Sequence, residues 1–233
     1  MDKLSFANLR LHLLVLLVTS FGCSSIAWAG GDEQDFATSV SFSVSKRFFK
    51  RLNVGLSESV SMRNNSTELD KFYTKADVSY NVVKGLLRVG ADYYLIGAAN
   101  KKDDIYLNHR YAGYLRVKKD VGRLSFGLKS KYQITYRPEK QQHKQYKDVW
   151  RNKLYVSTKI PKTHLYPCVG VESFICTNSY KGTCLTKMRY EGGAKYNFNK
   201  HNSLKALFRY DDGMNVSRPK DVFSVALSYS ITL

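Results

Sequence analysis

Past residue 29 the chain has no run of apolar residues approaching the roughly 18 to 20 that a membrane helix requires, which excludes a helical span there. It interrupts itself with only 4 Pro, and nowhere after the N-terminal stretch are apolar residues convincingly spaced three and four apart, so a helical architecture is excluded too. Acid is scarce. There are 19 Asp and Glu against 37 Lys and Arg, a net charge of +18 that some surface must carry. The 5 His are scattered: His12 lies near the start, His109, His143 and His164 in or beside connections, and His201 in a tight turn. No His-Glu-x-x-His spacing and no Gly-rich phosphate loop occurs.

What the chain has is aromatics, 17 Tyr and 12 Phe, and alternation. In Asp221 to Leu233, Phe223, Val225, Leu227, Tyr229, Ile231 and Leu233 share one face, and Ser224, Ala226, Ser228, Ser230 and Thr232 the other. Strict period two marks a strand between one apolar and one polar environment. The pattern recurs in about eleven segments from Phe36 onward: Phe36 to Phe48, Leu52 to Met62, Phe72 to Val82, Leu87 to Leu95, Tyr111 to Val117 and Leu124 to Tyr136 come first. Trp150 to Ile160, Leu165 to Phe174, Met188 to Phe198, Leu204 to Tyr210 and the final strand complete the set. The chain is predicted to be all-β, with residues 30–233 as one domain.

Residues 1–29 are predicted to be a cleaved secretory signal. Lys3 and Arg10 precede or flank the apolar run Leu11 to Phe21, and Ala27-Trp28-Ala29 offers small residues at a peptidase's spacing. Cys23 after Gly22 leaves a lipoprotein alternative, which Ser20 and Phe21 disfavour.

Short connections (Lys46 to Arg51, Val83 to Gly85, Lys119 to Gly122, Pro161 to Thr163, Asn199 to Asn202) alternate with longer polar ones (Arg63 to Asp70, Ile96 to His109, Arg137 to Lys147, Cys176 to Cys184, Asp211 to Lys220). That is the plan of an antiparallel up-and-down transmembrane β-barrel. A soluble barrel gives the same alternation with its apolar face inward. Segment length, an apolar face charged only at Glu58, and aromatics at segment ends (Phe48, Tyr80, Tyr132, Tyr136, Trp150, Tyr196, Phe198, Tyr210) favour the membrane form. About 10–12 strands are expected; since bacterial barrels use even numbers, the eleven readable segments point to ten or twelve. The final strand resembles the closing strand of bacterial outer-membrane barrels, which serves as their assembly signal. The expected location is therefore the outer membrane of a Gram-negative bacterium.

The opposite face would then line the interior, and it is basic. Its candidate residues include Arg88, Arg110, Arg116, Lys129, Lys131, Arg151, Lys153, Lys187, Arg189 and Arg209, against the acids Asp77, Asp92, Glu172 and Glu191. The first two strands and the last are lined instead by Ser, Asn and Gly. Rings of Arg and Lys select anions or phosphate, so one reading is a non-enzymatic channel favouring anionic solutes. The other is a structural barrel plugged by ion pairs, since buried charges must be paired or hydrated.

Pro167 with Glu172-Ser173-Phe174, then Arg189-Tyr190-Glu191-Gly192-Gly193 with Tyr196, and Arg209-Tyr210 before the final strand, resemble the family filed as domain of unknown function 2490. The resemblance departs near the start, where Ser39-Val40-Ser41 stand in a region in which such sequences often place a Trp. It implies a small outer-membrane barrel and supplies no activity.

An enzymatic alternative, a lipid-modifying hydrolase, needs a nucleophile beside a base. His201-Asn202-Ser203 is the nearest approach, and a polar turn explains it better. No cofactor or metal is expected. Cys176 and Cys184 bracket one expected external loop and either bridge it or stay as two thiols, with Cys168 left over on the polar face. Basic loops (Lys101-Lys102, Arg137 to Lys147, Lys181, Arg218 to Lys220) are placed to meet lipopolysaccharide phosphates. The expected partners are outer-membrane lipid and the assembly machinery, not nucleic acid.

Overall fold

A computed structural model describes residues 34–99, 104–140, 145–179, 182–215 and 220–233. The expected signal segment and the loop positions Lys101, Lys102, His143, Lys181 and Arg218 lie outside the described residues. Eleven strands follow one another: β1 (Gln34–Phe48), β2 (Leu52–Arg63), β3 (Glu68–Val83), β4 (Leu87–Ala99), β5 (Ile105–Val121) and β6 (Leu124–Tyr136), then β7 (Tyr146–Thr158), β8 (Leu165–Ser179), β9 (Gly182–Asn197), β10 (Asn202–Gly213) and β11 (Asp221–Thr232). Sequential strands pair as antiparallel hairpins, and β1 also pairs with β11, closing the sheet into a barrel. Asp32–Leu233 form one compact unit.

The closing pair is parallel, with Gln34 opposite Asp221 through to Ser45 opposite Thr232. This corrects two expectations, an even strand number and antiparallel pairing throughout. With an odd number of alternating strands the first and last run the same way, so closure requires a parallel ladder. Parallel pairing is slightly less stable per residue, and side chains reinforce it here. The Ser41 hydroxyl donates to Ser228 Oγ at 2.7 Å and that of Ser43 to Ser230 Oγ at 2.8 Å. On the other face the Phe42 and Tyr229 rings stack 6.1 Å apart.

Several strands outrun the alternation that announces them. β5 has 17 residues, although the clear pattern spans only Tyr111 to Val117. The region Cys176 to Cys184, expected as an external loop, is the end of the β8–β9 hairpin, with Cys176 opposite Cys184 and Ser179 opposite Gly182. Register shifts near Phe174 and Cys176 interrupt the period there, so the hydrogen-bonded ladder continues where the sequence pattern stops.

Polarity separates the two faces of the barrel wall. Outward positions are apolar and exposed, Leu56 at 54%, Val169 at 61% and Phe208 at 72%, while the charged Asp92 is 6% exposed and Glu172 6%. A soluble barrel fills its interior with the apolar face; this one turns that face out. Outward aromatics gather in two groups. Tyr196, Phe198 and Tyr229 lie toward the short turns, with centroids 5.1 and 6.4 Å apart. Tyr93, Tyr111, His109, Tyr136 and Tyr146 lie toward the opposite end, linked at 5.2 to 6.4 Å.

Candidate functional site: the charged interior

Contacts that skip a strand define the inside, because side chains two strands apart meet on the concave face of a closed sheet. Lys131 on β6 reaches Asp92 on β4, Arg116 on β5 reaches Tyr155 on β7, and Lys153 on β7 reaches Glu191 on β9. Eleven strands about 4.8 Å apart and tilted by about 40° enclose a backbone cylinder roughly 22 Å across. That is wide enough that long side chains from one wall need not touch the other.

Among the described residues five carboxylates within the interior, away from the barrel mouth, are ion-paired. Asp77 meets Lys75 at 2.8 Å, and Asp92 meets Lys131 at 2.5 Å while accepting from the Tyr94 hydroxyl at 3.2 Å. Glu172 accepts from Arg151 Nε at 2.9 Å and Nη2 at 2.8 Å. Glu191 takes Lys153 at 2.6 Å and faces Arg209 Nε at 3.8 Å. Asp211 holds Arg189 in a two-toothed grip, Nε at 2.5 Å and Nη2 at 2.8 Å, and Lys187 at 2.9 Å. Such forked pairs are among the strongest charge-assisted hydrogen bonds. The Phe174 ring lies beneath Arg151, Lys187 and Arg189 at 4.5, 4.3 and 5.3 Å, adding cation–π attraction to the same cluster.

Cations outnumber these acids. Among the described residues Arg88, Arg110, Arg116 and Lys129 have no carboxylate at ion-pair distance. Arg88 Nε donates to Asn81 Oδ1 at 2.8 Å, Arg110 Nε to Thr135 Oγ1 at 2.9 Å, and Arg116 Nε to the Tyr155 hydroxyl at 2.6 Å. Lys129 sits over the Tyr114 ring at 3.9 Å. The register sets Arg88 opposite Arg116, Arg116 opposite Lys129, and Lys129 opposite Lys153, three like-charge cross-strand pairs in succession. Directly opposed like charges destabilise a sheet.

The backbone makes room for this row. Tyr114 lies flat on Gly90, its cross-strand partner, where an added Cβ would fall 2.5 Å from the ring. Tyr155 covers Gly127 in the same way. Both rings are thus kept against the wall instead of across the interior, and Tyr155 is held where it meets Arg116. The opposite wall, β11, β1 and β2, presents Ser224, Ser228, Ser230, Ser41, Ser43, Gly55 and Ser59, side chains too short to reach far inward. Interior charge is therefore concentrated on β3 to β10, with Arg47 and Arg63 near the strand ends as the cations of β1 and β2.

The family model described as "Protein of unknown function (DUF2490)" matches residues 38–219, most of the chain. The protein belongs to the DUF2490 family. No curated protein matches it. The match includes all ten basic and all four acidic positions read from the sequence as lining the interior, and leaves β11 outside its range.

Within this DUF2490 barrel two groups of interior residues escaped the sequence reading. Asp211, at the start of an expected connection, sits on β10 two residues beyond Arg209 and on the same face, and its parity is the signal for it. Tyr94, Tyr114 and Tyr155 share parity with Asp92, Arg116 and Lys153, but Tyr suits either face, so alternation alone did not assign them. Cys176 and Cys184 are free thiols, as is Cys168. The first two stand in strand bodies facing one another across β8 and β9 rather than at the ends of a loop.

Proposed function

We propose that the chain is an outer-membrane β-barrel that conducts small anions, carried past a wall of unpaired Arg and Lys. The membrane part of the reading draws on the reversed polarity of the barrel, its two aromatic groups, and strands of 12 to 17 residues, longer than the nine to eleven a tilted span needs. Its topology would put the short turns and the C-terminus on the periplasmic side, with secretion through cleavage of the 1–29 segment. The observation that carries the anion preference is the run Arg88, Arg116, Lys129, Lys153, in which three members have no acid partner among the described residues. Cations so placed are stable when hydrated or when an anion sits among them, and rings of basic side chains are how pores select anions. The seryl wall opposite supplies space for water.

A structural barrel closed by ion pairs is the second reading, favoured by the cluster of Arg151, Glu172, Arg189, Asp211 and Lys187 on β7 to β10. That cluster occupies one side only. The reading includes no catalytic step and no cofactor. Purified protein in planar bilayers is expected to conduct with anion preference, and Arg116→Glu or Lys129→Glu to reduce that preference without abolishing insertion. A protein that inserts and stays silent would sink the channel and leave the closed barrel.

A further inference from the structure

At the short-turn end of the barrel a cavity of about 410 Å³ opens between β1 and the hairpins β3–β4 and β5–β6. Its volume lies in the range of small-molecule sites, about 300 to 1,000 Å³. Six cations line it, Arg47, Lys50, Lys84, Arg88, Arg116 and Lys118. Its single lining carboxylate, Asp120, is already engaged, by Lys118 at 3.0 Å and by the Ser125 hydroxyl.

The three guanidinium groups share one feature. Each is anchored through Nε to a neutral acceptor: Arg47 to Asn53 Oδ1 at 3.2 Å, Arg88 to Asn81 Oδ1 at 2.8 Å, and Arg116 to the Tyr155 hydroxyl at 2.6 Å. An Arg used for an ion pair spends its fork on the acid, as Arg189 does with Asp211. These three are held through Nε, and among the described residues their Nη donors make no hydrogen bond or ion pair. Arg88 and Arg116 are also direct cross-strand neighbours, a repulsive pairing that a bound anion would relieve. A planar guanidinium matches phosphate oxygens two at a time. Several such forks converging on one cavity fit a ligand carrying more than one phosphoryl charge better than a monovalent ion.

We infer that this mouth of the barrel is a binding site for a soluble phosphorylated polyanion, of the diphosphate class, held by the Nη donors of Arg47, Arg88 and Arg116. The inference deepens the anion-channel reading and rests on it, since the site would load the conduction path. Binding is nevertheless measurable in a barrel that conducts nothing.

The test is calorimetric titration of the purified barrel in neutral detergent with inorganic pyrophosphate. One saturable site is expected, weakened at least tenfold in Arg88→Gln/Arg116→Gln, and unchanged in Lys205→Gln, which removes an interior cation outside the cavity. The double variant removes a repulsive pair, so its heat-modifiable migration on gels should persist; if it misfolds, Lys84→Gln on the exposed turn must weaken binding in its place. Absence of saturable binding, or equal weakening by Lys205→Gln, would overturn the site. Dispersed phosphatidylglycerol distinguishes the source of phosphate: no competition is expected, while displacement of pyrophosphate would give the cavity to a lipid headgroup and overturn the soluble ligand. Saturable binding in a barrel silent in bilayers would retain the site and remove the channel.

Discussion

Asp211 illustrates how much one inward carboxylate holds. Its two oxygens accept from Arg189 Nε and Nη2 and from Lys187, fastening β9 to β10. Removing one partner of a largely buried pair leaves the other charged and without compensation. Asp211→Asn is therefore expected to cost about 3 kcal/mol in chemical unfolding in micelles; a loss below about 0.5 kcal/mol would show the pair to be water-screened. Much of this interior was legible from parity, because a basic residue two positions from another on a strand shares its face. The particular pairings were not legible. Whether Glu172 meets Arg151 or Arg189 depends on register and rotamer, which alternation does not encode. Glu58 is the outward exception that the sequence did expose, an exposed carboxylate hydrogen-bonded by Thr74 at 3.0 Å. Beside it in this class stands a neutral outward group the sequence reading passed over: Trp150 Nε1 donates to Ser130 Oγ at 2.7 Å, and Ser130 donates to Asn152 Oδ1 at 2.8 Å.

At the level of elements the closing seam is the departure from expectation. β1 and β11 are clean period-two strands, so their existence was readable, but their relative direction follows only from the count of strands between them. A general preference for even numbers argued against the eleven segments visible in the sequence, and the segments were right. The two Ser–Ser hydrogen bonds span this seam, each worth about 0.5 to 1.5 kcal/mol. Ser41→Ala/Ser43→Ala should accordingly lower stability by about 1 to 2 kcal/mol and speed amide exchange in β1 and β11 before the antiparallel β4–β5 hairpin. Uniform acceleration across all strands would mean the seam is no weaker than the rest. Strand ends near the longer connections were under-read for a different reason: bulges and register shifts, as between Phe174 and Ile175, destroy the period while leaving the ladder intact.

For the whole molecule, net charge was visible at once and its placement was not. The run Arg88, Arg116 and Lys129 lies inside on β4 to β6, ion pairs join residues of β3, β4 and β6 as well as β7 to β10, and serines line much of β11, β1 and β2. A barrel built merely to be stable gains nothing from setting Arg88, Arg116, Lys129 and Lys153 side by side, since each opposed pair repels. The arrangement makes sense if anions pass or reside there. The zero-current potential of the wild-type protein in a planar bilayer under a potassium chloride gradient tests this directly. A potential whose sign reports chloride as the more permeant ion is the expected result; a potential reporting potassium preference, or an inserted barrel that passes no current, would contradict it.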